Sequence, residues 1–132
     1  MAGKRWVKVA ILVIASCTVV SARRAMSQLP EQSVIRLAEL EIDPGQLPAY
    51  TAALKDEIET SIRIEPGVLK LYAVALKDHP NQIRLFECYR DLDAYQSHLL
   101  TPHFMKYKTR TQKMVKSLTL IETEPIALGS KP

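Results

Sequence analysis

Apolar residues recur with two different periods along this chain, and the change from one to the other marks its elements. From Ser33, Val34, Arg36, Ala38, Leu40 and Ile42 alternate with Ile35, Leu37, Glu39 and Glu41, the two-residue period of a strand. Asp43-Pro44-Gly45 stops that strand and opens a helix, where Pro48 is tolerated in the first turn. Leu47, Tyr50, Leu54 and Ile58 then fall three to four apart, one apolar stripe along a helix. Pro66-Gly67 ends it, because a residue before proline is pushed out of the α region. Val68 to Leu76 reads as a second strand that is apolar on nearly both faces. Val68, Tyr72, Val74 and Leu76 are expected on one face, and Leu69, Leu71 and Ala73 on the other. Asp78-His79-Pro80-Asn81 is turn chemistry and closes a hairpin onto a third strand. That strand carries Ile83, Leu85, Glu87 and Tyr89 on one face, and Arg84, Phe86, Cys88 and Arg90 on the other. Asp91 suits the N-cap of a short helix, and Thr101-Pro102 restarts another with Thr as cap and Pro at the first position. Lys116 to Glu124 alternates again as a last strand.

The order β-α-β-β-α-β is the α+β, split βαβ arrangement of ferredoxin-like folds. Helices on one face of such a sheet leave the other bare, and the second strand is apolar on both sides. A monomer would expose a larger apolar patch than is usual, so the sequence predicts a homodimer.

The N-terminal segment stands outside this pattern. Lys4, Arg5 and Lys8 precede an uncharged run of 14 residues, Val9 to Ala22. That run is short of the roughly 20 residues a membrane span needs and suits a secretory signal. Cleavage is expected after Ala25-Met26-Ser27 or after Val20-Ser21-Ala22. Ile14-Ala15-Ser16-Cys17 resembles a bacterial lipobox, so a lipid on Cys17 is the alternative to Cys17 being a small residue of the apolar run. The domain plan is therefore a signal peptide at 1–27, a linker at 28–32, one folded domain at 33–127 and a tail at 128–132. The expected location is the periplasm or the medium, with a membrane-anchored lipoprotein as the alternative.

Setting the leader aside changes the charge argument. Five of the 18 Lys and Arg lie before Gln28 and all 14 Asp and Glu after it, leaving 13 positive against 14 negative groups. The basic pI belongs to the leader. Nucleic-acid binding requires a basic patch on the folded domain, and none is present. Cys88 is the one cysteine left after cleavage, which excludes an intrachain disulfide.

Phe86-x-Cys88-Tyr89-x-Asp91-x-x-Ala94-x-x-x-His98-x-x-Thr101-Pro102-His103-Phe104, with Glu65-Pro66-Gly67-Val68-Leu69 upstream, resembles the antibiotic biosynthesis monooxygenase (ABM) domain family. That family includes quinol monooxygenases and the autoinducer-2 degrading protein. The resemblance spans roughly Val34 to Ile126. It implies two sheets packed face to face as a dimeric α/β barrel, and a cofactor-independent monooxygenase acting on a small aromatic or quinol-like substrate and O2. A fold does not fix a reaction, so two alternatives stand beside it. One is an isomerase or degradative enzyme acting on a small oxygenated metabolite, and the other a non-catalytic small-molecule-binding dimer. Haem-degrading relatives place an asparagine and a tryptophan in the pocket; here the one tryptophan, Trp6, lies in the leader, which disfavours that variant.

Candidate catalytic residues are Glu87, His98 and His103. A carboxylate between apolar strand neighbours has its pKa raised if unpaired, as a general base often does; the structural reading is a paired or capping carboxylate. His98 could be a base or orient a substrate, or pack as a satisfied core histidine. His103 sits at a helix N-terminus, where the dipole disfavours its cation; there it accepts a proton or tightens the cap. The three are expected to converge on one cavity, provided Glu87 lies on the helix-covered face. Tyr72, Tyr89, Tyr95 and Phe104 are candidate substrate-binding residues, although buried tyrosines are commonly core. His79 reads as a solvated turn residue, and Cys88 as inert core. Two histidines five apart across a helix break, with Glu87, form only a weak metal set. Four scattered glycines build no phosphate loop. Neither metal nor flavin is expected.

Overall fold

The structure is a computed structural model and describes residues 32–129. The proposed leader at 1–27 with Cys17 and Trp6, residues 28–31 of the linker and the end of the tail lie outside the described residues.

Four antiparallel strands, β1 (Val34–Ile42), β2 (Val68–Ala75), β3 (Gln82–Tyr89) and β4 (Val115–Thr123), form one sheet in the order β2-β3-β1-β4. Helices α1 (Leu47–Ile64), α2 (Leu92–Leu99) and α3 (Pro102–Thr111) connect them, with a 3-10 turn at Pro44–Gln46 ahead of α1. This is the ferredoxin-like α+β arrangement that the periodicity predicts.

The caps are where the sequence puts them. Asp91 accepts from the Ala94 N–H at 2.8 Å, and Thr101 accepts from the Phe104 N–H at 3.3 Å, with Pro102 opening α3. Asp43 accepts from the Gly45 N–H at 2.9 Å and so shapes the turn into α1. The apolar stripe of α1 packs Tyr50 and Leu54, flanked by Leu47 and Ile58, on Ala38, Leu40, Ile42 and Ile83. Because Ala38 pairs with Leu85 and Arg36 with Glu87, the face of β3 carrying Ile83, Leu85, Glu87 and Tyr89 is the helix-covered one.

β2 differs from the expected alternation. A register shift between Val68 and Lys70 puts Val68 in a buried cluster with Tyr89 and Ala94, against which Leu71 also packs. Val68 therefore lies on the helix side and Tyr72 on the opposite side, instead of sharing a face. An extra residue in one strand inverts the alternation beyond it, and no period count anticipates that. Tyr72 pairs with Phe86 on the uncovered face, where Tyr72 and Val74 are more than half exposed.

The turn from α1 into β2 brings α2 onto the sheet. The Val68 N–H donates to the Glu65 carbonyl at 3.1 Å, closing the turn over Pro66-Gly67. Gly67 does not adopt positive φ; it is there for space. A Cβ at Gly67 would lie 2.5 Å from the Cβ of Ala94 in α2. That close approach seats the start of α2 against the turn that follows α1.

Candidate functional site

The site is built from the last two turns of α1, the β2–β3 half of the sheet, and the ends where α2 and α3 meet. On α1, Tyr50, Leu54, Glu57 and Ser61 continue one buried stripe at spacings of four, three and four, so a carboxylate occupies a core position. Glu65 is the C-cap of the same helix. On β3, Glu87 and Tyr89 point under the helices. α2 contributes His98 from its last turn, and α3 contributes His103, Phe104 and Tyr107.

These groups bind one another. Oε1 of Glu65 lies 3.0 Å from Nδ1 of His98 and 2.6 Å from Nε2 of His103. Ser61 donates to Oε1 of Glu57 at 2.8 Å, and that oxygen is 3.8 Å from Nε2 of His103. Thr101 donates to the His98 carbonyl at 2.8 Å, linking the two histidine-bearing helices. Tyr89 donates to Oε2 of Glu87 at 3.2 Å. The His98 ring packs against Phe104 at 4.7 Å and Tyr89 at 5.4 Å between centroids. His98 is only 4% exposed.

A narrow cavity of about 60 Å³ opens among Leu54, Leu71, Glu87, His98, Phe104 and Tyr107. His98 has its Nδ1 turned to Glu65, and its Nε2 has no hydrogen bond among the described residues. Glu87 lines the cavity with it. Burial pushes the Glu87 carboxyl above its ordinary range; the Tyr89 hydrogen bond and the charges of His98 and Arg36 act the other way and do not cancel it. Burial acts on Glu65 in the same direction, but hydrogen bonds from His98 and His103 outweigh it and hold that carboxyl below its usual range. Two carboxylates in one site thus have opposite tendencies. Burial, then the Glu87 carboxylate, drives the Tyr89 phenol far upward, so it stays a donor. Tyr107 is raised too, by burial and by Tyr50, whose hydroxyl is 2.7 Å away.

Of the residues singled out from sequence, Glu87, His98 and Phe104 line this cavity, and Tyr72 borders it from the uncovered face. His103 lies behind His98 and borders a second cleft of about 270 Å³ between α1 and α3, with Asp56, Glu57, Lys106 and Arg110. Tyr89 supports Glu87 and His98 from below, and Tyr95 stacks edge-on to Tyr89 at 5.2 Å, beneath the Arg36 guanidinium at 4.5 Å. His79 is exposed in its turn, and Cys88 is buried on the far face. Sequence reasoning missed Glu57, Glu65 as a site residue, Arg36 and Tyr107. For Glu57 a signal was present: a charged residue on an otherwise apolar helical stripe.

The family model for antibiotic biosynthesis monooxygenase matches residues 33–110. Among solved structures, a protein of Bacteroides thetaiotaomicron provisionally described as an antibiotic biosynthesis monooxygenase is 51% identical. The match covers 77% of this chain and 97% of that one, with a TM-score of 0.74. A Lactobacillus acidophilus protein provisionally described as a monooxygenase is 30% identical over 72% of this chain and 45% of its own, with a TM-score of 0.68. A Nitrosomonas europaea protein, 16% identical, covers 78% and 99% with a TM-score of 0.70 and shares the fold. No match was found among curated proteins.

Proposed function

Since the chain belongs to the antibiotic biosynthesis monooxygenase family, we propose that it is a monooxygenase oxidising a small quinol-like substrate in the cavity between α1, α3 and the β2–β3 half of the sheet. One observation carries this reading. His98 is held at Nδ1 by Glu65, while the same ring lines the cavity together with Glu87. A carboxylate on one nitrogen fixes the tautomer and leaves the other as acceptor. His98 then takes a phenolic proton, with Glu65 as the positioning residue. Glu87 receives the second hydroxyl, and Leu54, Leu71 and Phe104 form apolar walls.

Proton removal makes the substrate electron-rich enough to reduce O2 itself. A hydroquinone gains one oxygen atom to become a hydroxyquinone, and the other oxygen leaves as water. The protein's tasks are the base, the fit and the exclusion of bulk water, so neither flavin nor metal takes part. The scarcity of glycine, which leaves no phosphate-binding loop in the sequence, speaks against a flavin.

The enzyme acts outside the cytoplasm as a homodimer. Export is supported by the basic and then apolar N-terminal sequence. Dimerisation is supported by the uncovered sheet face bearing Tyr72, Val74 and Phe86, which would restore apolar burial on pairing.

The test is O2 uptake across a panel of quinols. His98→Ala is expected to lower turnover about 10²-fold or more, the usual cost of losing a general base, with the far-UV spectrum unchanged. Equal rates for wild type and variant would remove His98 from the chemistry.

A further inference from the structure

Glu57 and His98, which line the cavity, and Glu65 and His103 behind them each present one donor atom, and these atoms all lie within 4.8 Å of one another. Two imidazoles and two carboxylates from α1, α2 and α3 form a mixed nitrogen–oxygen set. The hydrogen bonds inside this set leave one member short. The Glu57 side chain is 6% exposed, and among the described residues the nearest basic side chain to it is His103, 3.8 Å away. Ser61 donates to it at 2.8 Å, one donor for a carboxylate with about four acceptor positions. Buried carboxylates are normally paired or bound to a metal.

We infer that Glu57, Glu65, His98 and His103 form a site for a borderline divalent transition ion, with Zn2+ as the type, and that the bound ion silences the base of the cavity. Imidazole with carboxylate suits zinc-like ions, whereas Mg2+ and Ca2+ prefer oxygen alone. The 2.6 Å separation of Glu65 and His103 must widen by about 0.7 Å to reach the spacing of ligands about 2.0 Å from a tetrahedral centre. Glu57 and His103 also border the outer cleft between α1 and α3, which gives an ion a route in without crossing the substrate cavity. Ser61 on Glu57 is an outer partner of the kind ligands usually have.

The consequence for the cavity follows from the ring of His98. Nδ1 faces the cluster, so ligation occurs there and leaves the proton on Nε2. A nitrogen that carries a proton cannot take one. Zinc therefore converts His98 from acceptor to donor and stops proton abstraction. This silencing rests on the functional reading above; the binding itself does not.

Calorimetric titration of the purified protein with Zn2+ alone is the test, in the absence of substrate. Wild type is expected to take about one ion per chain and to ignore Mg2+. Glu57→Gln and His103→Ala are each expected to weaken binding by at least about 10–100-fold, the loss that even outer-shell changes produce. No saturable heat with wild type, or the same affinity in wild type and both variants, overturns the site. Should either variant fail to fold, wild type with Co2+ decides. Visible bands of a low-symmetry nitrogen–oxygen site that Zn2+ displaces are expected, and the spectrum of the hydrated ion overturns it. In the O2-uptake assay, stoichiometric Zn2+ is expected to abolish turnover. Zinc that binds without inhibiting overturns the silencing. Absence of turnover with every quinol overturns the functional reading instead, and the titration still decides the site.

Discussion

Nδ1 of His98 lies 3.0 Å from Oε1 of Glu65, a contact across 33 positions of sequence. It exists because α1 ends at Glu65, the chain turns over Pro66-Gly67, and α2 settles against that turn. Replacing Glu65 by Gln removes a charged acceptor shared by two histidines, at a cost of roughly 1–3 kcal/mol. The sign with pH follows from the lowered folded-state pKa of Glu65. Its contribution is full above the unfolded carboxylate value of about 4.3 and is lost as pH falls through the lower folded value. Urea melts are expected to show wild type and Glu65→Gln far apart at neutral pH and converging in acid.

Glu87 predicts the opposite displacement, in activity. Its carboxyl is raised by burial, so the rise of turnover that follows its ionisation is expected above the ordinary value of about 4.3. Glu87→Gln is expected to remove that limb of the kcat/KM profile with the fold unchanged. An identical acidic limb in the variant would mean that Glu87 does not titrate in the reaction.

Gly67 faces Ala94 so closely that an added Cβ would lie 2.5 Å from the Cβ of Ala94. Neither partner is a flexible side chain, so backbone must move. Gly67→Ala is expected to cost about 1–3 kcal/mol, typical of overpacking, and to weaken His98 function by shifting α2. Gly45→Ala is the control, because its nearest neighbour is Asp43 Oδ1 at 3.4 Å and its melting temperature should change little.

Val74 is 58% exposed on the uncovered sheet face, so a charge there disturbs the monomer little. Val74→Asp is expected to weaken the proposed homodimer about tenfold or more, by burying an unpaired charge. Sedimentation equilibrium at several concentrations reads this, and an unchanged dimer would locate the interface elsewhere.

The proposed leader has a direct test in the mature N-terminus. Sequencing the exported protein is expected to find it starting at Arg23 or Gln28, or blocked at a lipidated Cys17. A start at Met1 or Ala2 on cytosolic protein would overturn export.

The elements of this protein were readable in its sequence because each rests on local physics. Alternation gave the strands, the Leu47, Tyr50, Leu54 and Ile58 stripe gave α1, and Asp91 and Thr101 marked where α2 and α3 begin. Glu87, His98 and Phe104 were legible as chemistry because they fall close together in the chain. Glu57 and Glu65 were not recognised, since what makes them site residues is their distance to histidines more than 30 positions away. The face of Val68 is not legible from alternation, because a shift of register inverts the pattern without altering composition. Glu87 could be assigned to the helix side only through its pairing opposite Arg36, and pairing between strands is a tertiary fact. Local sequence determined which residues form helix and strand, since propensity, period and capping act within a few residues. Tertiary structure decided which charges meet, because a 3 Å contact between distant side chains depends on how whole elements pack.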